Sequence, residues 1–202
     1  KTLRLRKEQN KKSLIVYITA GYPDMETTVQ AILAAETAGA DVVEVGIPFS
    51  DPIADGPVIQ KAATAALAAG ATAPKALEMI RQVRKHSAIP LAVMTYTNIV
   101  LNYGPDKFAS DCRNAGVDAM IIPDLPPEEK ELLQAPCAEN DLELIQFVAP
   151  TSTSDRISEI SRSAAGFIYC VSNTGVTGVR SVDFSAVSPS VQLIRKNTDV
   201  PV

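Results

Sequence analysis

One short pattern occurs twice in this chain and narrows its architecture more than any other feature. Ala38-Gly39-Ala40-Asp41 runs into an apolar stretch that stops at Pro48, and Ala115-Gly116-Val117-Asp118 runs into another that stops at Pro123. In both, glycine closes a helix, aspartate opens a strand and proline breaks it. Such an echo describes a strand–helix unit used repeatedly, as in a (β/α) barrel or a doubly wound sheet. The rest of the chain follows suit. β-Branched runs at 14–19, 41–46, 91–96, 119–122, 142–148 and 166–171 alternate with helical stretches at 25–38, 58–69, 74–85, 106–115, 128–139, 153–163 and 183–196. That order predicts a parallel α/β sheet with right-handed crossovers. A Rossmann arrangement is disfavoured, because Ala20-Gly21-Tyr22-Pro23-Asp24 follows the first strand where GxGxxG would stand.

Six strands fit into the 202 residues, and a seventh begins at Val200-Pro201-Val202. A closed eight-stranded barrel runs to about 250 residues. The expectation is therefore one domain over 1–202, a (β/α)8 TIM barrel that is incomplete, with the last strands missing, in preference to a natural six-stranded open sheet. Its open edge would leave apolar strand surface exposed.

Composition removes several classes of function. The net charge of -4 gives no electrostatic footprint for nucleic acid. The basic cluster at 1–12 is broken by Leu3, Leu5 and Glu8, and reads as a solvated terminal helix face. No apolar run approaches the ~20 residues of a membrane span, and no secretory core is present, so the expected location is cytoplasmic. Cys112, Cys137 and Cys170 lack CxxC spacing and read as reduced, buried thiols. His86 is the single histidine. That excludes His-rich zinc sites and argues against Ser–His–Asp or Cys–His machinery. No metal and no cofactor are expected; chemistry must come from carboxylates, hydroxyls and backbone donors.

One carboxyl stands out. Glu44 lies inside Asp41-Val42-Val43-Glu44-Val45-Gly46, otherwise a buried parallel strand. Side-chain alternation puts Val43, Val45 and Ile47 on one face and Glu44 on the other. In a barrel the first set would pack under helices while Glu44 entered the lumen near the catalytic rim. A partly desolvated carboxyl there would hold its proton to higher pH, whereas Asp55, on the following loop, would stay solvated and ionised. The competing reading is a buried Glu tied up by a neighbouring cation or backbone N–H.

The segment Glu44-Val45-Gly46-Ile47-Pro48-Phe49-Ser50-Asp51-Pro52-Ile53-Ala54-Asp55-Gly56-Pro57-Val58-Ile59-Gln60 closely resembles the signature of the tryptophan synthase α subunit family. Ile18-Thr19-Ala20-Gly21, Tyr96-Thr97-Asn98, the Pro-Asp-Leu-Pro-Pro run, Val148-Ala149-Pro150-Thr151 and Thr174-Gly175-Val176-Thr177-Gly178 extend the resemblance in order along nearly the whole chain. It implies retro-aldol cleavage of indole-3-glycerol phosphate to indole and glyceraldehyde 3-phosphate, and assembly with a tryptophan synthase β subunit into an α2β2 complex.

By that resemblance Glu44 is the acid–base group, Asp55 accepts the indole N–H, and Tyr169 assists in positioning Glu44 or the substrate. Tyr17 and Thr19 on the first strand would line the pocket, with core packing the alternative for an aromatic on a strand. Tyr96 and Asn98 would end the third strand and touch the glycerol part, with turn capping an alternative for Asn98. Thr177 and Gly178 belong to a Gly/Thr-rich stretch at 173–180 that resembles a lid. Asp51 and Pro52 would meet the β subunit, and Asp124 is read as either a partner contact or a turn residue. Tyr22 and Asn173 depart from the family pattern, where Asp and Arg are frequent. The phosphate loops that the family places after its last strands lie beyond residue 202, so weak or absent turnover is expected of 1–202 alone. Two further readings carry the same residues: a catalytically silent subunit that activates its partner, and a stand-alone lyase releasing free indole.

Overall fold

A computed structural model of the chain describes residues 1–172 and 184–202. Helix α1 (Thr2–Glu8) precedes β1 (Ile15–Thr19), α2 (Met25–Thr37), β2 (Val42–Gly46), α3 (Pro57–Ala68), α4 (Ala73–Arg84), β3 (Leu91–Met94), α5 (Thr97–Tyr103), α6 (Pro105–Ala115) and β4 (Ala119–Ile121). A 3-10 turn (Pro127–Glu129) leads into α7 (Glu131–Glu139), β5 (Glu143–Leu144), β6 (Gln146–Val148), α8 (Ser154–Ser163), β7 (Ile168–Cys170) and α9 (Phe184–Asn197).

Strands β1 to β5 pair in sequence order, all parallel, and β6 pairs in parallel with β7. The Ile145 N–H donates to the Met120 carbonyl at 2.9 Å, which carries the β4–β5 pairing up to the start of β6. Thus β5 and β6 are one run of chain that leaves β4 and joins β7. Beyond it, the Ile168 N–H donates to the Pro201 carbonyl at 2.8 Å, so the next strand begins where the sequence places it. This is the strand succession of a (β/α) barrel.

Alternation along each strand decides what it packs against. Val43, Val45, Leu91, Val93 and Met120 join Ile32, Leu77, Ile80 and Phe108 in the layer between sheet and helices. Val148 and Ile168 pack likewise with Ile157, Ile160 and Ile194. The opposite face gathers Ala92, Ala119, Ile121, Ile145 and Phe167, with Ile15, Met94, Phe147 and Tyr169 beside them. Leu3 also packs into this inner cluster. The terminal helix is therefore not merely a solvated face: α1 covers the amino ends of the strands.

The repeated aspartates hold those ends together. The Asp41 carboxylate accepts the Leu14 N–H at 2.9 Å and Arg6 Nε at 2.6 Å. The Asp118 carboxylate accepts the Leu91 N–H at 2.9 Å and Arg84 Nη2 at 2.9 Å. In return each aspartate donates its own N–H to the same neighbour, Leu14 O at 2.8 Å and Leu91 O at 2.9 Å. Each aspartate thus opens its own strand and caps the adjacent one. Gly116, at φ +91°, gives Arg84 its path; a Cβ there would stand 2.8 Å from Arg84 Cγ.

Burial alone would raise the Asp41 carboxyl, but the Leu14 N–H and Arg6 outweigh it and hold it below its ordinary 3.8. A carboxyl depressed in the fold stabilises it above the unfolded-state value, and that contribution disappears as pH falls through the folded value. Asp41→Ala should therefore cost about 1–3 kcal/mol at pH 7. The gap between variant and parent should close toward pH 3, as urea unfolding at the two pH values will measure.

Three expectations need correction. The third strand stops at Met94, and Thr97–Tyr103 forms α5, so Asn98 lies in the first turn of a helix and is exposed, not at a strand end. The Thr and Tyr residues here favour strand locally, but the Asp124 carboxylate accepts the Thr97 N–H and starts a helix. Second, the helix anticipated at 128–139 divides at Lys130 into the 3-10 turn and α7. Third, Asp55 is buried and not solvated. Thr177, Gly178 and the 173–180 stretch lie outside the described residues. Among the described residues, no helix is long and apolar enough to cross a membrane.

Candidate active site

Strand β2 directs Glu44 into the lumen, away from Val43 and Val45 in the helix-facing layer. Its residue is 5% exposed. Its lateral partners are Tyr17 on β1 and Ala92 on β3, and Ala92 in turn pairs with Ala119 on β4. The two alanines leave space on one side of the carboxyl, and Tyr17 flanks the other. Among the described residues no cation and no hydrogen-bond donor contacts Glu44, so nothing offsets its burial, which pushes the carboxyl from its ordinary 4.5 up to about 7.

Two phenols bracket it. Tyr169 arrives from β7, stacked on Phe147 of β6 with ring centroids 5.0 Å apart. Burial and then the nearby Glu44 push its hydroxyl up to about 12. Tyr17 is likewise raised to about 12, by burial first, with contributions from Asp55 and Glu44, while a hydrogen bond with the Thr19 side chain opposes the shift. Thr19 is buried on the same face of β1. Tyr17, Thr19, Glu44 and Tyr169 are therefore brought together on one face of the sheet. Phe147, which gives Tyr169 its stacking surface, was missed; its place two residues past lumen-facing Ile145 is the signal that finds it.

Asp55 differs from expectation. It is not solvated but 6% exposed. The cause is Tyr96, the residue before α5, whose hydroxyl accepts the Ala54 N–H at 3.1 Å and hydrogen-bonds the Asp55 carboxylate. Burial raises the Asp55 carboxyl and the Tyr96 bond lowers it, leaving a net rise. Tyr96 is itself braced. Its ring packs 5.3 Å from that of Phe49, and the Asp124 carboxylate accepts both the Thr97 N–H (2.9 Å) and the Thr97 hydroxyl (3.0 Å) at the start of α5. Asp124 therefore acts within the chain as the cap of α5, and through α5 it orients Tyr96 toward Asp55.

Tyr96→Phe removes one acceptor for the loop backbone and one donor to Asp55. It should lower kcat/KM about tenfold and move the acid limb of its pH profile to higher pH. A steady-state profile from pH 5 to 9 checks this.

The loop around Asp55 shows its apolar side to solvent. Ile53 is 74% and Val58 76% exposed, next to exposed Asp51 and half-buried Pro52. Asn98 and Tyr22 are exposed as well. A groove of about 460 Å³ lies on the outer surface between α2 and α4, lined by Met25, Val29 and Met79, and contains none of these residues.

What the lumen can do follows from its two acids. One, unpartnered and dry, keeps its proton near neutrality and can deliver it. The other, held by a phenol, can accept a hydrogen bond from a ring N–H as positive charge develops.

Comparisons with known proteins identify the family. A family profile described as tryptophan synthase alpha chain matches residues 3–202. The tryptophan synthase alpha chain of Alkaliphilus metalliredigens is 48% identical over 200 residues, covering 99% of this chain and 75% of that relative. That of Synechococcus elongatus is 47% identical, covering 97% and 74%. Among solved structures, a Mycobacterium tuberculosis tryptophan synthase chain superimposes with a TM-score of 0.92 at 38% identity, covering 100% of this chain and 77% of that one. A chain from Aquifex aeolicus gives 0.90 at 39%, with the same coverage. The chain thus spans about three quarters of the length of these relatives, and it belongs to the tryptophan synthase alpha chain family.

Proposed function

We propose that the chain is a carbon–carbon lyase that cleaves indole-3-glycerol phosphate to indole and glyceraldehyde 3-phosphate, acting as the α subunit of an α2β2 tryptophan synthase. Glu44 gives its proton to indole C3, and the ring becomes a cationic indolenine whose N–H hydrogen-bonds to Asp55. The bond from C3 to the glycerol chain then breaks. Its electron pair returns to the ring, the hydroxyl on the departing carbon becomes the aldehyde carbonyl, and the hydroxyl proton restores Glu44. Tyr169 orients the carboxyl through this traffic.

The observation that carries the reading is the pair of buried acids in one lumen, both within electrostatic reach of Tyr17, of which Glu44 titrates near 7. The partner reading is supported by Ile53 and Val58, whose exposed side chains flank Asp55 at the rim, where an apolar product would pass to a docked subunit. Asp51 and Pro52 belong to the same contact surface.

The test is indole release from indole-3-glycerol phosphate by the protein at the full length of its relatives, with and without a tryptophan synthase β subunit. Release that rises when the β subunit is added supports the proposal. No release together with activation of the β subunit overturns it in favour of a silent regulatory role. Release indifferent to the β subunit removes the complex from the proposal and leaves a stand-alone lyase.

A further inference from the structure

Tyr17 occupies a notch that exists because β2 has no side chain at position 46. A Cβ on Gly46 would fall on the Tyr17 hydroxyl and lie 2.5 Å from its Cζ and 2.7 Å from its Cε2. In the sheet register Tyr17 pairs with Glu44, and Gly46 pairs with Thr19. The phenol therefore leans from its own strand across β2, toward the carboxyl ends of the strands, over the residue two places beyond Glu44. A lumen-filling aromatic does not require that path. Any side chain at position 46 would close it, while a shorter apolar residue at position 17 would fill the lower lumen without it.

The surroundings of Glu44 give the path a purpose. Its neighbours across β3 and β4 are Ala92 and Ala119, which offer no polar atom. Among the described residues, Tyr17 from β1 and Tyr169 from β7 are the titratable groups that feel its charge, and Asp55, on the loop after β2, acts on Tyr17. Among the described residues no cation faces it. When the proton leaves Glu44, a carboxylate appears in a dry cavity. Unassisted, that anion would make the transfer steeply unfavourable.

We propose that Tyr17 is a positioning residue for the proton transfer: its hydroxyl, set by the Gly46 notch, donates a hydrogen bond to the Glu44 carboxylate as it forms, sharing that task with Tyr169. This rests on the reading of Glu44 as the acid. The neutral carboxyl needs no such bond, so the interaction strengthens only as negative charge develops, which is the condition for lowering a barrier.

The experiment reads Glu44 directly and does not require turnover. Protein labelled with ¹³C at the glutamate side-chain carboxyl is titrated by NMR, and the Glu44 resonance is assigned from its loss in Glu44→Gln. Tyr17→Phe, which removes one oxygen and keeps the ring, should raise the Glu44 midpoint by about 0.5–1 pH unit. Replacing Tyr17 with 3,5-difluorotyrosine, a stronger donor of the same shape, should lower it. A role in packing alone predicts no shift from the fluorinated residue, and an unmoved midpoint there overturns the proposal.

Kinetics supply a second readout. Tyr17→Phe should reduce kcat about tenfold with KM changed by less than about twofold. Gly46→Ala should mimic it in a Tyr17 background and add little in a Tyr17→Ala background. A loss confined to KM would overturn the proposal by making Tyr17 a substrate contact. Failure of the underlying reading is distinguishable, because it appears as continued turnover by Glu44→Gln, whatever the titration of the Tyr17 variants shows.

Discussion

Glu44→Gln should lower indole release from indole-3-glycerol phosphate by about 10²- to 10⁴-fold, the range associated with removing a positioned proton donor. Gln keeps the shape and neutrality of the protonated side chain, so the lumen around Tyr17, Ala92 and Tyr169 should be unchanged. The parent's kcat/KM should fall as pH rises through about 7, because the proposed mechanism uses the protonated form of Glu44, whose carboxyl burial raises to about 7. On the acid side it should fall as Asp55, raised by burial, takes up a proton and stops accepting the indole N–H.

The same substitution should stabilise the fold at alkaline pH. Glu44 holds its proton to higher pH in the folded protein than in the unfolded chain. Its contribution is therefore most favourable below 4.5, declines as pH rises toward 7 and is a constant penalty above that. The penalty is on the order of 3 kcal/mol. Glu44→Gln should match its parent in stability near pH 4 and exceed it at pH 8. Activity and stability would then move in opposite directions at one atom, as expected where a dry acid is kept for chemistry.

Phe108→Ala is the change with the largest expected cost to the fold. Phe108 is fully buried at the centre of the helix-facing core, with its ring 5.3 Å from Tyr103 in an edge-on contact. Truncation removes the transfer free energy and leaves a cavity between α6 and the sheet, together about 3–5 kcal/mol. For a domain of this size that corresponds to a fall in Tm of roughly 6–20 °C. Differential scanning calorimetry measures it. Far from the lumen, the variant should keep its kcat per folded molecule at low temperature, which separates scaffold from chemistry.

These two residues also mark what the sequence conveyed. The strand succession and the inward aim of Glu44 followed from periodicity alone, because alternation on a parallel strand leaves a side chain only two places to go. The paired aspartates were legible as strand openers. Their second task, capping the neighbouring strand through Leu14 and Leu91, depends on lateral register that no local pattern encodes. Asp55 was misjudged as solvated because its burying partner, Tyr96, is 41 residues away along the chain and stands just before a helix that local propensity concealed. Gly46 read as the end of a strand. That it makes room for Tyr17 emerges only when β1 and β2 lie side by side. Periodicity reports the face on which a residue lies; which groups meet across that face is a property of the assembled sheet.

The most direct examination of this account is the infrared carbonyl band of the Glu44 carboxylic acid, identified by its loss in Glu44→Gln, recorded from pH 4 to 9. The Glu44 carboxyl should stay protonated through pH 6 and titrate near pH 7. A Glu44 already ionised at pH 5 would contradict it, since a carboxylate settled at that pH has no proton to give to the indole ring.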